Sequence, residues 1–428
     1  MSPPLRLGIA GLGTVGAGVI RILQQDATLL TARTGRAIEI VAVSARNRDK
    51  DRGVDLSAYA WEDDPVALAG RDDIDLFIEL MGGSDGPAKA ATEAALAHGK
   101  DVVTANKAML AIHGQALALQ AEDAGCALRF EAAVAGGIPV VKCLTEGLAG
   151  NRMSRIMGVM NGTCNYILTR METAGLPYDT VFQEARDLGY LEADPTLDVG
   201  GIDAGHKLAL LASIAFGTQV DFGNVTLEGI ERITIEDIHR AKDMGFRVKL
   251  LGVAQMTGRG LEQRMTPCMV PLNSPLGRLE NAMNMVVLEG SACGQIVLRG
   301  AGAGEGPTAS AVLSDVIDIA RGLRLPTFGQ PAASLTIATP AVAPTPARYY
   351  LRLHLHDKPG ALARIATILG NQGISIDRMR QYGHEEQSVP VLIVTHKTNR
   401  EALNIAIDEF AGTGVLSDNP VAIRIENV

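Results

Sequence analysis

The sequence predicts an α/β protein of three parts: a doubly wound parallel sheet, an α+β region with an open sheet, and a small βαββαβ unit. Three observations carry this. Short apolar runs alternate with helical patterns over the first 130 residues. Longer helical stretches then lie among strand-like runs to about residue 330. After a Pro-rich segment, the last 80 or so residues read strand, helix, strand, strand, helix, strand.

The first strand is the apolar run Leu5 to Ala10, ending in Gly11-Leu12-Gly13-Thr14-Val15-Gly16. A helix with apolar periodicity through Val19, Ile20 and Leu23 follows. A second strand covers 37–43, and further strands cover 74–80 and 101–104, separated by an Ala-rich helix over about 87–97. This domain takes in residues 1–130. Residues 131–330 form the second region, with helices at 180–188, 201–215 and 234–244. Segments such as Val286-Val287-Leu288 suggest an open sheet covered on one side by helices. Its topology does not follow from pattern alone. Residues 331–348, with Pro340, Pro344 and Pro346, read as a semi-rigid Ala/Pro linker. Residues 349–428 then give strands at 349–356, 374–382, 389–396 and 421–425 and helices at 360–371 and 400–411, a ferredoxin-like order. No internal repeat is present.

At 428 residues the chain exceeds one ordinary core. Its net charge of −9 argues against a nucleic-acid partner, which needs a concentrated basic surface. No apolar run reaches the roughly 18 to 20 residues of a membrane span, and the N-terminus lacks a signal-peptide pattern. Five cysteines without a Cys-x-x-Cys pair make a disulfide framework or zinc site improbable. A reduced, cytoplasmic setting is expected.

The triplet Gly11, Gly13 and Gly16 stands after a strand and opens a helix, as a Rossmann-type dinucleotide site requires. Gly11 permits the tight turn, Gly13 lets the backbone approach the pyrophosphate, and Gly16 allows close helix–strand packing. Thr14 and Val15 lie at the helix N-terminus, where free amides favour an anion. The second strand ends in Ser44-Ala45-Arg46-Asn47-Arg48, with no acid for the ribose hydroxyls. Arg46, with Arg48, suits a 2′-phosphate, so NADP is preferred and NAD stays open. Two solvated loop arginines are the other reading.

The stretch from Gly189 to Lys207 is the richest in chemistry. It holds Glu192, Asp194, Asp198 and Asp203 before Lys207. On a helix from Gly201, Asp203 and Lys207 are four apart and share a face, which permits an ion pair. An ordinary surface pair is the usual meaning of that spacing.

This stretch resembles the signature of homoserine dehydrogenases, an acidic loop ending in Asp-x-x-x-Lys. Val103-Thr104-Ala105-Asn106-Lys107, the segment from Phe130 to Pro139, Asn161-Gly162-Thr163-Cys164-Asn165 and the turn from Gly300 to Gly304 resemble other segments of that family in order and spacing. The similarity covers about residues 5 to 325. Leu191, where a small residue is expected, is one departure. The resemblance implies a nicotinamide-dependent oxidoreductase that interconverts homoserine and aspartate semialdehyde. Lys207 and Lys107 are then the proton-handling candidates, a choice the sequence leaves open. Glu192 and Asp203 are implied to hold the substrate's amino group and position a lysine or water, with Asp198, Thr163 and Gly162 also on the substrate side. Thr104, Lys107 and Gly304 are implied to meet the cofactor. Glu131, Val134, Gly136 and Ile138 resemble the family's sodium loop, mainly backbone carbonyls with one carboxylate. A tight turn without an ion is the alternative.

His206 is expected off the catalytic face. Cys164 raises a rival reading, aspartate-semialdehyde dehydrogenase, whose nucleophile is a cysteine; no histidine partner for it is evident. Leu353 to Leu362, with Asp357-Lys358-Pro359-Gly360, and Asn371 to Ile376 resemble the start of an ACT domain, an amino-acid-sensing fold. That implies an allosteric site, plausibly for threonine, and pairing of subunits into a homodimer or homotetramer. A module that only dimerises, or a catalytically silent amino-acid sensor, are the remaining alternatives.

Overall fold

The computed structural model describes residues 3–191, 194–382 and 388–428. The first region contains β1 (Leu5–Ala10), α1 (Thr14–Gln25), α2 (Ala27–Thr34), β2 (Ile38–Ser44), β3 (Ala60–Trp61), α3 (Pro65–Gly70), β4 (Leu76–Glu79), α4 (Pro87–Ala97), β5 (Asp101–Thr104), α5 (Lys107–Asp123) and β6 (Leu128–Arg129). All six strands are parallel, in the order β3-β2-β1-β4-β5-β6. Leu7, Ile9, Leu76 and Ile78 are fully buried because helices cover both faces, which is why these strands read as continuous apolar runs. The strand order reverses at β1 and β4, opening a crevice at their C-terminal ends.

The second region contains α6 (Val140–Lys142), β7 (Met153–Val159), α7 (Gly162–Ala174), α8 (Tyr178–Asp187), α9 (Thr196–Val199), α10 (Ile202–Phe216), β8 (Thr226–Leu227), α11 (Ile235–Asp243), β9 (Phe246–Thr257), β10 (Gly260–Pro271), β11 (Met283–Gly290), β12 (Gly294–Ala301) and α12 (Glu305–Ala320). Helix α11 starts on a capping box, with Thr234 and Asp237 bonding each other's backbone amides. Helix α10 is buried from Asp203 to Ser213, so charges on it lie away from water. Helix α12 turns back onto the first region, where Ala309, Val312 and Val316 share a core with Val19, Ile20 and Leu23. That core is therefore completed by residues nearly 300 positions downstream.

The last region contains β13 (Arg348–His356), α13 (Ala361–Asn371), β14 (Ile376–Gln381), β15 (Ser388–Thr395), α14 (Arg400–Ala411) and β16 (Val421–Ile425). Its strands lie in the order β16-β13-β15-β14, the ferredoxin-like arrangement. It is not a separate bead beyond a spacer. Strand β16 pairs in parallel with β10, matching Cys268 with Arg424 and Met269 with Ile425, so both regions share one ten-stranded sheet. The Pro-rich stretch runs along the second region, with isolated bridges from Thr336 to Thr218 and from Pro340 to Leu261. An open β10 edge would carry unpaired amides, and β16 covers part of it.

Charge ties the same junction. Arg264 on β10, 4% exposed, donates to Glu262 at 2.9 Å and to Glu426 just beyond β16. Thr345 of the linker also donates to Glu262, at 2.7 Å. Burial by itself would raise the Glu262 carboxyl, but the Arg264 guanidinium and the bonds from Thr345 and Gln255 outweigh it and hold it near 2. Replacing Arg264 by Leu strands two buried carboxylates. Arg264→Leu is expected to cost about 3–5 kcal/mol, read as a lower denaturant midpoint.

Candidate active site

The glycine turn has the geometry its residues predict. Gly11 has φ +97°, and a Cβ there would run into the Leu80 backbone. A Cβ on Gly16 would strike the carbonyl of Gly11, so helix and turn touch only because it is glycine. Gly13 faces open space and caps α1, whose first-turn amides at Thr14 and Val15 point the same way. The residues present fit a pyrophosphate here. At the tip of β2, Arg46 is exposed, while Arg48 and Arg52 lie over the Trp61 ring at 5.8 and 5.6 Å. Arg52 also donates from Nε to the Leu12 carbonyl at 3.1 Å. Sequence reasoning missed Arg52, because it stands eight residues beyond the strand tip in a loop without periodicity.

Thr104 departs from its expected cofactor role. Its hydroxyl donates to Glu79 Oε2 at 2.6 Å and accepts from the Asn106 amide at 3.0 Å, and it is fully buried. The other Glu79 oxygen accepts the amides of Met81 and Gly82 at 2.7 and 3.1 Å. Thr104 thus shapes the strand tips, and its side chain does not face the crevice.

Beyond the turn lies a cavity of about 570 Å³. Of the sequence candidates, Val15, Lys107, Gly136, Gly162, Thr163, Asp198, Asp203, Lys207 and Gly304 line it. Glu192 lies outside the described residues. Lys107, the first residue of α5, meets one oxygen of Asp203 at 2.9 Å. Lys207 meets the other at 2.7 Å and also donates to the Met160 carbonyl at 2.9 Å. The i,i+4 spacing did place Asp203 and Lys207 on one face, but that face is interior. Burial alone would raise the Asp203 carboxyl, yet the ammonium groups of Lys207 and Lys107 overcome it and hold it well below the usual carboxylate range. Asn161 caps α7 through Cys164 N at 2.8 Å and donates to Asp198 at 2.9 Å and Asp203 at 3.3 Å. Thr163 donates to the Tyr190 carbonyl at 2.8 Å, so its hydroxyl is already engaged at the cavity wall.

Asn161 and Asn284 were not singled out by the sequence. Asn284 is buried beside Gly302, and its carboxamide oxygen has no partner among the described residues. The one available signal was Asn161 standing as an N-cap before a helix.

The expected cation turn is present. Ala135 and Gly136 take consecutive positive φ values, 57° and 53°, and fold the segment tightly. Both Glu131 carboxylate oxygens accept amides, of Val141 at 3.0 Å and Lys142 at 2.7 Å. This corrects the expected carboxylate ligand: the side chain is committed elsewhere, and only the backbone oxygens of Glu131, Val134, Gly136 and Ile138 remain as donors. Among the described residues no group of three His, Cys, Asp or Glu side chains offers an alternative metal site. Burial, with Asp315 nearby, pushes the Glu131 carboxyl up to about 7.

Cys164 is fully buried, its thiol directed at the Asp198 carbonyl at 3.3 Å and its pKa driven well up by burial. That is the opposite of an activated nucleophile. His206 packs against the Phe222 ring at 4.2 Å, away from the ion cluster.

A glycine turn facing an ammonium–carboxylate cluster across a domain crevice defines a dinucleotide-dependent oxidoreductase. Sequence profiles agree: the homoserine dehydrogenase NAD-binding domain matches residues 11–131, homoserine dehydrogenase matches 139–317, and the ACT domain matches 349–411. The homoserine dehydrogenase of Pseudomonas aeruginosa is 40% identical over 99% of both chains. That of Bacillus subtilis is 36% identical over 99% of this chain and 98% of its own. The crystal structure of a homoserine dehydrogenase from Thiobacillus denitrificans superposes with a TM-score of 0.93 at 39% identity, over 99% of this chain and 98% of that one. The chain belongs to the homoserine dehydrogenase family.

Asp203→Asn removes the charge that both lysines share, and kcat is expected to fall by about 10²–10³. The folded pKa of Asp203 is lowered, so its stabilisation is present above the unfolded carboxylate range and lost as pH falls through it. Denaturant midpoints should therefore separate wild type from Asp203→Asn at neutral pH and converge in acid.

Proposed function

We propose that this chain reduces L-aspartate 4-semialdehyde to L-homoserine, and catalyses the reverse, in a cytoplasmic pathway to threonine, methionine and isoleucine. The observation that carries the reading is the Asp203 carboxylate bridging Lys107 from the nucleotide domain and Lys207 from the second. NAD(P)H, when bound at the glycine turn, supplies the hydride. As the aldehyde oxygen gains negative charge, the ammonium of Lys207 or Lys107 stabilises it and gives up the proton that completes the alcohol. Asp203 keeps both amines charged and aimed inward. Glu192 and Asp198 take the substrate's ammonium, with Thr163 and the Gly162 backbone beside it.

The arginines near β2, with no acid at its tip, favour NADPH, Arg46 meeting the 2′-phosphate. Gly304, the N-cap of α12, lines the cofactor end of the cavity. The backbone oxygens of the 131–138 turn suit a sodium ion. The reading as an aspartate-semialdehyde dehydrogenase loses its support with Cys164 buried and unactivated. The ends of the long sheet, β12 and β14, are edges, and β14 is exposed along most of its length. Edges of this kind support a homodimer or homotetramer joined by strand pairing.

Following nicotinamide absorbance with homoserine and NADP tests the chemistry. Lys207→Ala and Lys107→Ala are each expected to lose about 10²–10⁴ in kcat, and full activity in both would overturn the site. Regulation is read in the same assay. Threonine is expected to inhibit through the ACT domain, and an unchanged rate at saturating threonine would remove it as the effector.

A further inference from the structure

A second cavity, of about 480 Å³, lies where the last region meets the second one, far along the sheet from the ion cluster. Its walls come from both sides. Glu228, Arg232 and Arg264 belong to the second region; Tyr349, Arg400, Asn404 and Arg424 belong to the βαββαβ unit. Four guanidinium groups in one small cavity is an unusual density of positive charge.

Their partners divide them. Arg264 and Arg424 both bond Glu426, and Arg264 also bonds Glu262, so these two are held by carboxylates behind the wall. Arg424 also reaches the Tyr349 hydroxyl at 3.3 Å. Arg400 lies over the Tyr349 ring at 5.7 Å and donates to Asn404 at 3.0 Å, an arrangement that fixes its plane. Neither Arg400 nor Arg232 has an ion-pair partner among the described residues. Glu228 is thus the one lining carboxylate left facing two guanidiniums.

From this we infer a binding site for a small organic anion, carrying a carboxylate or phosphate group, that bridges the catalytic sheet and the ACT domain. Arg400 and Arg232 present forked donors from opposite walls, which matches the geometry of both oxyanions. The cavity exceeds the size of an inorganic ion, leaving space for a short carbon skeleton against Ile407 and Val421. An occupant held by both walls would draw them together, and so would favour one docking of the ACT domain over another. The site is separate from the Lys107–Asp203–Lys207 cluster, so its test does not depend on the proposed reaction.

Calorimetry on the full chain, saturated with NADPH to fill the nucleotide site, distinguishes the two anion sources. Inorganic phosphate and succinate are the probes, each against sodium chloride at matched ionic strength. At least one is expected to bind at millimolar concentration or below. Arg232→Gln combined with Arg400→Gln should weaken it by about tenfold or more, the loss of one charge-assisted contact, while turnover without the anion stays unchanged. Glu228→Gln, which removes the opposing charge, should tighten it. Phosphate binding without succinate binding assigns a phosphate ligand, and the converse a carboxylate. No heat above the chloride control with either probe overturns the site, as does equal binding by wild type and the double variant. If the double variant fails to fold by circular dichroism, the direction of the Glu228→Gln effect decides alone, and no change there overturns the site.

Discussion

One carboxylate organises the active site. Asp203 lies on a buried helix, where an isolated charge would be costly, and the cost is offset only because two ammonium groups face it. The lysines come from different parts of the chain, one at the head of α5 and the other on α10. Their shared partner therefore fixes the distance between the nucleotide domain and the second region. Domain docking and catalytic geometry are the same constraint here, because neither lysine can move off Asp203 without leaving it buried and underpaired.

A further set of polar groups holds that constraint in register. Asn161 begins α7 and bonds both Asp198 and Asp203, so the helix start and the acid cluster are positioned together. Lys207 also spends one proton on the Met160 carbonyl, at the end of β7. On the opposite wall, Glu79 and Thr104 join the tips of β4 and β5, which places the residues leading into Lys107. Each of these is a short side chain with its donors and acceptors engaged, and such groups tolerate little displacement.

What could be read from the sequence follows from the range of the interactions. The Gly11 to Gly16 turn, the helix carrying Asp203 and Lys207, and the alternation of the βαββαβ unit are local patterns, and local periodicity records them. The return of α12 onto α1, the bond from Arg52 to the Leu12 carbonyl, and the contact of Asn161 with Asp203 each join residues 40 or more positions apart. No periodicity encodes such pairs. Thr104 shows the opposite error: it stands in the right segment, but its hydroxyl had a nearer buried acid to satisfy. Glu131 fails in the same way, since the amides opening α6 claimed its carboxylate before any ion could.

The join between β10 and β16 bears on how a regulatory domain can reach a reaction centre. Only two residue pairs register the two strands, and the rest of the bond is the ion network around Arg264. Strand β10 has two faces. Arg264 turns to the ACT domain, while its neighbour Met265 packs under Gly201 and Gly252, close to the start of α10. The Met265 carbonyl also accepts the amide of Glu228, in the wall of the second cavity, at 2.9 Å. A change in how the ACT domain docks would therefore act on a strand that already supports the helix bearing Asp203. Linkage then requires reciprocity: a ligand that favours one docking and alters the grip on substrate must itself be held more or less tightly when substrate is bound.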